Sequence, residues 1–200
     1  HFRVNMKFIQ AAENNKTEIL QIFAKIAKLG DEVLEIGSGT GQHIVYFATQ
    51  MEHVIWQPSE KLGNTASIEE RVINADLANL KKTWLLDINC PPDSSQLFDF
   101  VYASNVLQCI SLNELELFML TARKFLKDSG MLVIYGPFLR DGEYASVGDN
   151  LLDNHLKINN QEIGIKDLEF VKKIARSQRF KFLETVSMNK NNLILLFIAF

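Results

Sequence analysis

The chain has 200 residues, of which 47% are hydrophobic and 22% charged, and its formal net charge is −3. This length and composition fit one globular domain over residues 1–200, and the mild acidic excess disfavours nucleic acid as the main partner. The longest apolar run, Leu193 to Phe200, is too short to span a bilayer, so we expect a cytoplasmic protein without membrane attachment.

Cysteine usage limits the classes of site that the chain can hold. Its two cysteines, Cys90 and Cys109, lack the paired spacing of a zinc site or a disulfide framework. We expect both to be small buried thiols in a reducing compartment. No metal site is predicted.

The first part of the chain predicts a helix followed by a strand, turn, helix and strand. Apolar residues at helical spacing predict a helix over about 11–29, ended by Gly30. A buried strand over 33–36 leads into three glycines, a helix is predicted over 41–50, and a second strand over 54–56. This order is a βαβ unit.

The alternation of helices and strands continues downstream. Two capping-box patterns, Ser67 with Glu70 and Ser111 with Glu114, predict helix starts. The further predicted helices cover about 67–82, 111–129 and 166–178, and the further predicted strands cover 84–88, 98–103, 131–135, 183–188 and 193–200. The helix after Ser111 is expected to bury Leu112, Leu115, Met119, Ala122 and Leu126. A hairpin loop is predicted at 189–192, and the stretch 137–164 is expected to be an irregular loop on the substrate side.

Strands that alternate with helices predict the fold class. We expect an α/β fold with a doubly wound, mostly parallel sheet of about seven strands and an antiparallel last strand. In such a sheet, ligands bind beyond the carboxyl ends of the strands. The glycine turn after the first strand lies at that edge.

The glycine turn, Gly37 to Gly41, reads GSGTG. Glycines suit a turn that must adopt positive φ or let a ligand approach the backbone, and the next helix adds unpaired N–H groups. Dinucleotide-binding turns have the spacing G-x-G-x-x-G, whereas Gln42 stands here in place of the third glycine. Glu35 would repel a pyrophosphate and attract a cationic amino acid. The turn therefore favours a nucleoside that carries an amino acid.

Six ordered segments carry a resemblance that runs from Ala11 to the C-terminus: AAENNKTEIL, GSGTGQH, WQPSE, GPFLRDG, GIKDLE and NNLIL. The segment LEIGSGTGQH resembles the first motif of class I methyltransferases, which bind S-adenosyl-L-methionine (SAM). Together the six segments resemble, more narrowly, a methyltransferase-like family of undefined substrate, the DUF938 type. The resemblance implies a Rossmann-like methyltransferase fold and transfer of a methyl group from SAM to an acceptor.

The resemblance also implies a set of SAM-binding residues near the ends of the first four strands: Glu35, Gly37, Ser38, Gly39, Gly41, Gln57, Glu60, Asp87, Ile88 and Asn105. The acid and the glycine turn would surround the methionine end of SAM. Either Gln57 or Glu60 would hold the ribose hydroxyls, the amide without charge assistance. Asp87 would meet the adenine amino group, Ile88 would pack on the ring, and Asn105 would lie under the sulfonium or the methionine part.

The polar stretch after the fifth strand is expected to cover a methyl acceptor. Its candidate residues are Tyr135, Arg140, Asp141, Glu143, Tyr144, Asp149 and Asn150. Among these, Tyr135, Asp141 and Tyr144 are the candidate catalytic residues, and a general base is needed only if the acceptor must lose a proton. Many relatives have a histidine where this chain has Gln108, so no imidazole is available at that position.

The pattern of residues also ranks the acceptor classes. No Asn/Asp-Pro-Pro-aromatic motif follows the fourth strand, and the aromatic residues, Phe118 and Phe125 among them, sit at core spacing and form no base-stacking platform. A small molecule is the expected acceptor, a protein side chain or terminus comes next, and nucleic acid is disfavoured.

Two other functions stay open at this point. A nicotinamide oxidoreductase shares the βαβ start and an acid about 20 residues on, which Glu60 satisfies, but the glycine spacing and the terminal hairpin count against it. A noncatalytic SAM-binding module fits the same residues, because a fold and a cofactor site do not fix turnover. The sequence indicates no oligomeric state.

Overall fold

The computed structural model describes residues 9–200, apart from the side chain of Asn159. Six α-helices lie in this part of the chain: α1 Gln10–Ile26, α2 Gln42–Gln50, α3 Thr65–Ala75, α4 Leu112–Phe125, α5 Val147–Asn159 and α6 Leu168–Ser177. Its seven strands are β1 Glu32–Ile36, β2 Ile55–Glu60, β3 Trp84–Leu85, β4 Phe98–Ser104, β5 Leu126–Gly136, β6 Phe180–Ser187 and β7 Leu193–Ala199.

The seven strands form one sheet in the order β3-β2-β1-β4-β5-β7-β6. The strand β2 is parallel to both β1 and β3, and β4 is parallel to β5. The strand β7 is antiparallel to β5 and to β6. The predicted fold class, a seven-stranded, mostly parallel α/β sheet with an antiparallel last strand, is therefore confirmed.

The chain consists of two compact units, of which the first ends at Pro92 and the second begins at Asp93. In the first unit, the rings of Phe23, Phe47 and Trp56 pack with centroids 5.3–5.9 Å apart and are shielded from solvent. In the second unit, Phe118 and Phe125 are fully buried, as their spacing predicted. A single domain over residues 1–200 stays a prediction.

Of the two predicted capping boxes, the structure contains the one at Ser111 and lacks the one at Ser67. Ser111 accepts a hydrogen bond from the Glu114 N–H, and the Glu114 carboxylate accepts one from the Ser111 N–H, so this capping box is confirmed. The box at Ser67 is wrong, because α3 already begins at Thr65. The helix α3 also ends earlier than predicted, at Ala75, where the backbone of Asp76 turns left-handed.

Three further predictions about local structure are wrong. The expected loop 137–164 contains α5, whose start is capped by the Ser146 hydroxyl. The third strand is shorter than predicted, because Asp87 and Cys90 pair across a turn of their own. Both cysteines, Cys90 and Cys109, are exposed, not buried.

The helix α4 also ends differently from the prediction. The chain becomes extended at Leu126, where β5 starts, so the helix ends before Gly130. Its first residue, Leu112, was expected to be buried but is 52% exposed.

Among the described helices, none combines the length and the apolar character that a bilayer crossing requires.

Candidate functional site

The turn between β1 and α2 is built on three glycines with positive φ. Gly37, Gly39 and Gly41 have φ values of 75°, 57° and 77°, which side-chain-bearing residues rarely adopt. No atom lies within 4 Å of where a Cβ of Gly39 would be, so the space over this residue is open. Gly41 is closed in by contrast, since its Cβ would lie 3.0 Å from Ile68. The turn therefore has one packed end and one open end.

Glu35 places a carboxylate in the interior, two residues before this turn. Its side chain is 2% exposed, and its Oε2 atom has no hydrogen-bond partner among residues 9–200. Burial raises the pKa of Glu35 to about 7; a hydrogen bond with Ser38 opposes the rise and the charge of Glu60 adds to it. An unpartnered carboxylate oxygen at this depth is costly unless a cation or a proton neutralises it.

Glu60, the last residue of β2, contacts the same turn. Its Oε2 accepts a hydrogen bond of 2.8 Å from the Gly39 N–H, and its Oε1 accepts one of 2.9 Å from the Lys61 N–H. The side chain is 7% exposed. Ser38 bonds to the same strand, because its hydroxyl accepts from the Ser59 N–H at 3.1 Å. Glu35, Ser38, Gly39 and Glu60 thus lie together at the carboxyl ends of β1 and β2.

Gln57, the alternative to Glu60, makes a different set of contacts. Its Nε2 donates to the carbonyl oxygens of Pro58 at 2.9 Å and Lys82 at 2.7 Å, and the side chain is 4% exposed. Both amide hydrogens of Gln57 therefore serve the backbone.

Asp87 follows β3 in an exposed turn. Its Oδ1 accepts hydrogen bonds from the backbone N–H and the side-chain amide of Asn89, at 2.9 and 3.0 Å, and these bonds lower the pKa of Asp87. Ile88 is half-buried beside it. This turn keeps an ionised carboxylate at the end of β3.

The residues after the turn, Gln42 and His43, hold the N-terminal helix. The Gln42 amide pairs with the backbone of Ile9, accepting from its N–H at 2.6 Å and donating to its carbonyl oxygen at 3.3 Å. His43 Nε2 lies 2.7 Å from Asn15 Oδ1 and 3.1 Å from the Ala12 carbonyl oxygen. Burial lowers the pKa of His43 to about 4, so the imidazole is neutral. Gln42 and His43 thus connect α1 to α2 by hydrogen bonds.

In the second unit, β4 ends at a strained residue, Asn105, with φ of 55°. Its N–H donates to the Tyr135 carbonyl oxygen at 2.9 Å, and its Oδ1 accepts from Gln108 Nε2 at 3.3 Å. A Cβ on Gly136 would lie 3.4 Å from Gln108 Oε1, so the Gln108 side chain lies next to this glycine. The fourth and fifth strands therefore end in a connected set of amides.

The three candidate catalytic residues lie in different surroundings. Tyr135 lies in β5, is 3% exposed, and its hydroxyl accepts a hydrogen bond of 2.8 Å from Asn192. Tyr144 donates its hydroxyl proton to Asp153 at 2.6 Å. Asp141 is exposed in a turn, with φ of 54°. Asp141 is therefore not part of the hydrogen-bonded set around Tyr144.

That set is centred on Asp153, a residue of α5 that the sequence patterns did not single out. Besides Tyr144, its carboxylate accepts from Lys157 Nζ at 2.5 Å and from the Ile165 N–H at 2.6 Å, and its side chain is fully buried. Burial raises the pKa of Asp153, but the three donors outweigh this effect and lower it. Asp153 is thus an ionised side chain on the buried face of α5, held in place by three hydrogen-bond donors.

Asp149 lies one turn earlier on α5 and is less well paired. It is 8% exposed, and its Oδ2 has no hydrogen-bond partner in the described part of the chain. Burial raises the pKa of Asp149, against the hydrogen bond with Ser146. Three apolar residues of the same helix, Val147, Leu151 and Ile158, are between 66% and 79% exposed. The helix α5 therefore buries two acids and exposes three large apolar side chains.

Lys166, in the segment GIKDLE, is a second buried charge that the sequence patterns did not single out. Its Nζ donates to the carbonyl oxygens of Ile110 and Gly164, both at 2.7 Å, and the residue is 6% exposed. Burial lowers the pKa of Lys166 to about 8. The second unit thus contains two buried acids and one buried amine near the ends of its parallel strands.

Within residues 9–200, no group of three histidine, cysteine or acidic side chains could hold a metal ion. Glu35 and Glu60 lie at an open glycine backbone and are the residues best suited to a cationic organic ligand. The first unit therefore offers two carboxyl groups beside an open glycine turn to a ligand with a positive charge.

Solved structures show the same fold. An O-methyltransferase family protein from Burkholderia thailandensis matches with a TM-score of 0.79 at 12% identity, over 95% of this chain and 57% of that one. An O-methyltransferase family 2 protein from Planctomyces limnophilus, in complex with apigenin, matches with a TM-score of 0.78 at 14% identity, over 96% and 60%. Human N-acetylserotonin methyltransferase in complex with SAM matches with a TM-score of 0.78 at 11% identity, over 95% and 53%.

The chain spans between one half and two thirds of the length of these three proteins. At such identities the likeness shows the Rossmann-like methyltransferase fold alone. A family model described as "Protein of unknown function (DUF938)" matches residues 6–199, almost the whole chain. The chain therefore belongs to the DUF938 family, and its fold is that of the class I SAM-dependent methyltransferases.

Proposed function

We propose that this protein is a SAM-dependent methyltransferase that acts on a small molecule. The observation that carries the proposal is the unpartnered, buried carboxylate oxygen of Glu35 beside a glycine turn with open space over Gly39. SAM has an ammonium group on its methionine end, and an ammonium is the partner that this oxygen lacks. The SAM complex of the human neighbour and the shared fold support the proposal.

The residues of the first unit would divide the binding of SAM among them. We assign the ammonium to Glu35 and the backbone approach of the methionine part to Gly37, Ser38 and Gly39. Glu60 would accept hydrogen bonds from the ribose hydroxyls, because its carboxylate is held at the turn by backbone N–H groups. The contacts of Gln57 with two carbonyl oxygens favour Glu60 over Gln57 in this role.

The remaining proposed contacts with SAM rest on the resemblance to the methyltransferase family and on the exposed turn after β3. Asp87 would accept a hydrogen bond from the adenine amino group, with Ile88 against the ring. Asn105 and Gly41 stay in the predicted set, Gly41 as the packed end of the turn.

Bound SAM would supply a methyl group that an acceptor atom attacks in line, so that the carbon–sulfur bond breaks and S-adenosylhomocysteine leaves. The task of the chain is then to bind and align the two molecules and to exclude water, and alignment can contribute on the order of 7–11 kcal/mol. On the acceptor side we propose Tyr144, whose hydroxyl is held by Asp153, and Asp149, whose buried Oδ2 can accept a hydrogen bond from an acceptor hydroxyl or amine. Tyr135 would line this region, and the exposed Asp141 is the weakest of the catalytic candidates.

Small acceptors are supported by the neighbours, since one was solved with apigenin and another is described as a mitomycin 7-O-methyltransferase. A protein acceptor is the next class to test. The cytoplasmic location expected from the sequence belongs to this proposal as well.

A noncatalytic SAM-binding module is the second candidate. It is favoured by one observation: the Tyr144 hydroxyl already donates to Asp153, so its proton is engaged within the protein. Detection of a methylated product by mass spectrometry, in a screen of phenols, amines and carboxylic acids with SAM, would decide for the enzyme. Binding of SAM without any product across this screen would decide for the module.

The first experiment is calorimetric titration with SAM, S-adenosylhomocysteine and NAD(H). We expect micromolar binding of the first two ligands and none of NAD(H). The variant Gly39→Arg should lose this binding, because its side chain would fill the open space over the turn.

Gly30→Arg is the matched control for this variant. Gly30 also has a positive φ, 85°, and open space around its Cβ position, but it precedes β1 and lies at the other end of that strand. The control should bind SAM like the unmodified protein. Saturable binding of NAD(H) without binding of SAM would overturn the proposal and favour an oxidoreductase.

A further inference from the structure

The second unit has an open groove of about 780 Å³ between α6 and the strands β6 and β7. We call it the α6–β6 groove. Its apolar part is formed by Phe180, Phe182, Ile198 and Phe200. Phe200 is 57% exposed, whereas Phe180 is buried and forms the floor. A volume of several hundred cubic ångströms is typical of small-molecule sites.

The polar part of the groove is strongly cationic. Four basic side chains line it, Lys172, Lys173, Arg176 and Lys181, together with a single acid, Glu169. Glu169 pairs with Lys172 at 2.8 Å, and Lys172 also lies over the ring of Phe182 at 4.2 Å. Within residues 9–200, no ion pair joins Lys173, Arg176 or Lys181 to an acid. Three basic residues that form no ion pair among residues 9–200 thus line one groove in a chain of net charge −3.

The groove is separate from the residues proposed for methyl transfer in this unit. Along β5 and β7, Ile198 pairs with Met131, whereas Tyr135 pairs with Ile194. Four residues of strand span about 13 Å, so the groove lies toward the opposite end of these strands from Tyr135. A ligand in the groove would therefore contact neither Tyr135 nor Asn105.

We propose that the α6–β6 groove binds a free small organic anion, a carboxylate or phosphate monoester with an aromatic or aliphatic body. The phenylalanines would cover the apolar body, and the three cations without an acidic partner would bind the head group. Charge complementarity selects an anion, and the size of the groove selects a small molecule over a flat partner surface. This binding is independent of the proposed methyl transfer.

The test is a titration of ¹⁵N-labelled protein with 4-phenylbutyrate, monitored by two-dimensional NMR, with the neutral 4-phenylbutan-1-ol as the matched ligand. We expect amide shifts confined to residue 129 and to residues 169–182 and 198–200, and affinity for the anion at least tenfold above that for the alcohol. The double variant Lys173→Glu with Arg176→Glu should weaken binding of the anion at least tenfold. The neutral double variant Lys173→Gln with Arg176→Gln should weaken binding of the anion less. This difference distinguishes an effect of charge from an effect of misfolding.

The matched control reverses two exposed lysines of the first unit, Lys25→Glu with Lys81→Glu. It changes the net charge by the same amount and should alter the affinity less than twofold. An equal loss in this control, equal affinity for the alcohol, or shifts elsewhere in the chain would overturn the proposal. Stronger binding to phosphatidylglycerol vesicles than to monomeric 4-phenylbutyrate would overturn it too, in favour of a membrane surface.

Discussion

The proposed pairing of Glu35 with the ammonium group of SAM predicts that binding depends on pH. Its pKa is about 7, so most of the Glu35 population is protonated at pH 5.5. Pairing with an ammonium requires the ionised form, whereas the amino group of the ligand stays protonated up to about pH 7. We therefore expect the affinity for SAM to rise about tenfold from pH 5.5 to 7.

The variant Glu35→Gln isolates this effect. It keeps the shape of the side chain and removes its charge, so SAM should bind more weakly and with little dependence on pH. Calorimetry at several pH values measures both properties. An unchanged pH dependence in Glu35→Gln would assign the proton to another group.

Gly164 is a second position at which a single substitution should have a large effect, here on the free energy of unfolding. Its φ is 143°, and a Cβ would overlap Asp153 Oδ1 and lie 2.9 Å from the Lys157 side chain. Gly164→Ala should therefore lower the free energy of unfolding by roughly 3 kcal/mol, through backbone strain and displacement of a buried acid.

Gly142→Ala is the matched control for Gly164→Ala, since Gly142 has φ of 79° and open space around its Cβ position. It should cost only the backbone strain, about 1 kcal/mol. Urea denaturation measures both variants. Equal costs would mean that Asp153 moves aside without penalty.

At the scale of single elements, two serines with the same sequence pattern should behave differently. Ser111 caps α4, so Ser111→Ala should cost about 1 kcal/mol of unfolding free energy. Ser67 lies inside α3, and its buried hydroxyl has no hydrogen-bond partner in the described residues, so Ser67→Ala should be neutral or stabilising. Thermal and urea unfolding of both variants check this contrast. A comparable loss in Ser67→Ala would restore the capping box predicted there.

The helix α1 should depend on side chains of the glycine motif. Gln42 binds the backbone of Ile9, and His43 binds Asn15 and Ala12. Gln42→Ala should speed amide hydrogen exchange in α1 more than in α6, because the local contact is lost. Tyr46→Ala, which removes the contacts with Thr17 and Lys16 between the same two helices, serves as the comparison. Equal protection of α1 in Gln42→Ala and the unmodified protein would contradict this role.

Across the whole molecule, two buried groups oppose each other in the pH dependence of stability. The pKa of Glu35 is raised from 4.5 to about 7, so the folded state binds the proton more tightly and the unfolding free energy falls between those pH values. The pKa of His43 is lowered from 6.5 to about 4, so the unfolded state binds more protons and the unfolding free energy rises between pH 4 and 6.5. Each effect amounts to roughly 3 kcal/mol, and the two nearly cancel between pH 4.5 and 6.5.

Single variants should therefore reveal slopes that the unmodified protein hides. From pH 4.5 to 6.5, Glu35→Gln should gain stability as the pH rises, and His43→Gln should lose it. Urea denaturation at four pH values measures these slopes, and the fixed cost of each substitution cancels within a variant. The double variant gives the contribution of other groups, Asp149 among them. Slopes of the same sign in the two single variants would contradict the opposition.

The alternation of strands and helices along the chain and the glycine turn could be predicted from the sequence, because buried strands and amphipathic helices leave clear apolar periods. The helix α5 could not. Its inner face carries Asp149 and Asp153, and its outer face carries Leu151 and Ile158, so apolar positions do not mark the buried side. The contacts of Asp153 and Lys166 also depend on residues far apart in the chain, which no local pattern indicates.

The same limit applies to the cofactor residues. The acid Glu35 and the glycines are local to one motif and could be proposed from it. The choice between Gln57 and Glu60 depends on which backbone groups they meet across the fold, Lys82 for one and Gly39 for the other. These contacts join residues far apart in the chain, so only the folded structure shows them.

The position of β7 affects the order in which the second unit can form during synthesis. This strand follows β6 in the chain but lies between β5 and β6 in the sheet. While the ribosome is still making residues 193–199, β5 has an open edge and β6 has no neighbour to pair with. A nascent chain stalled before Leu193 would therefore expose one edge of β5 and both edges of β6, and chaperone binding should be greatest at this stage of translation.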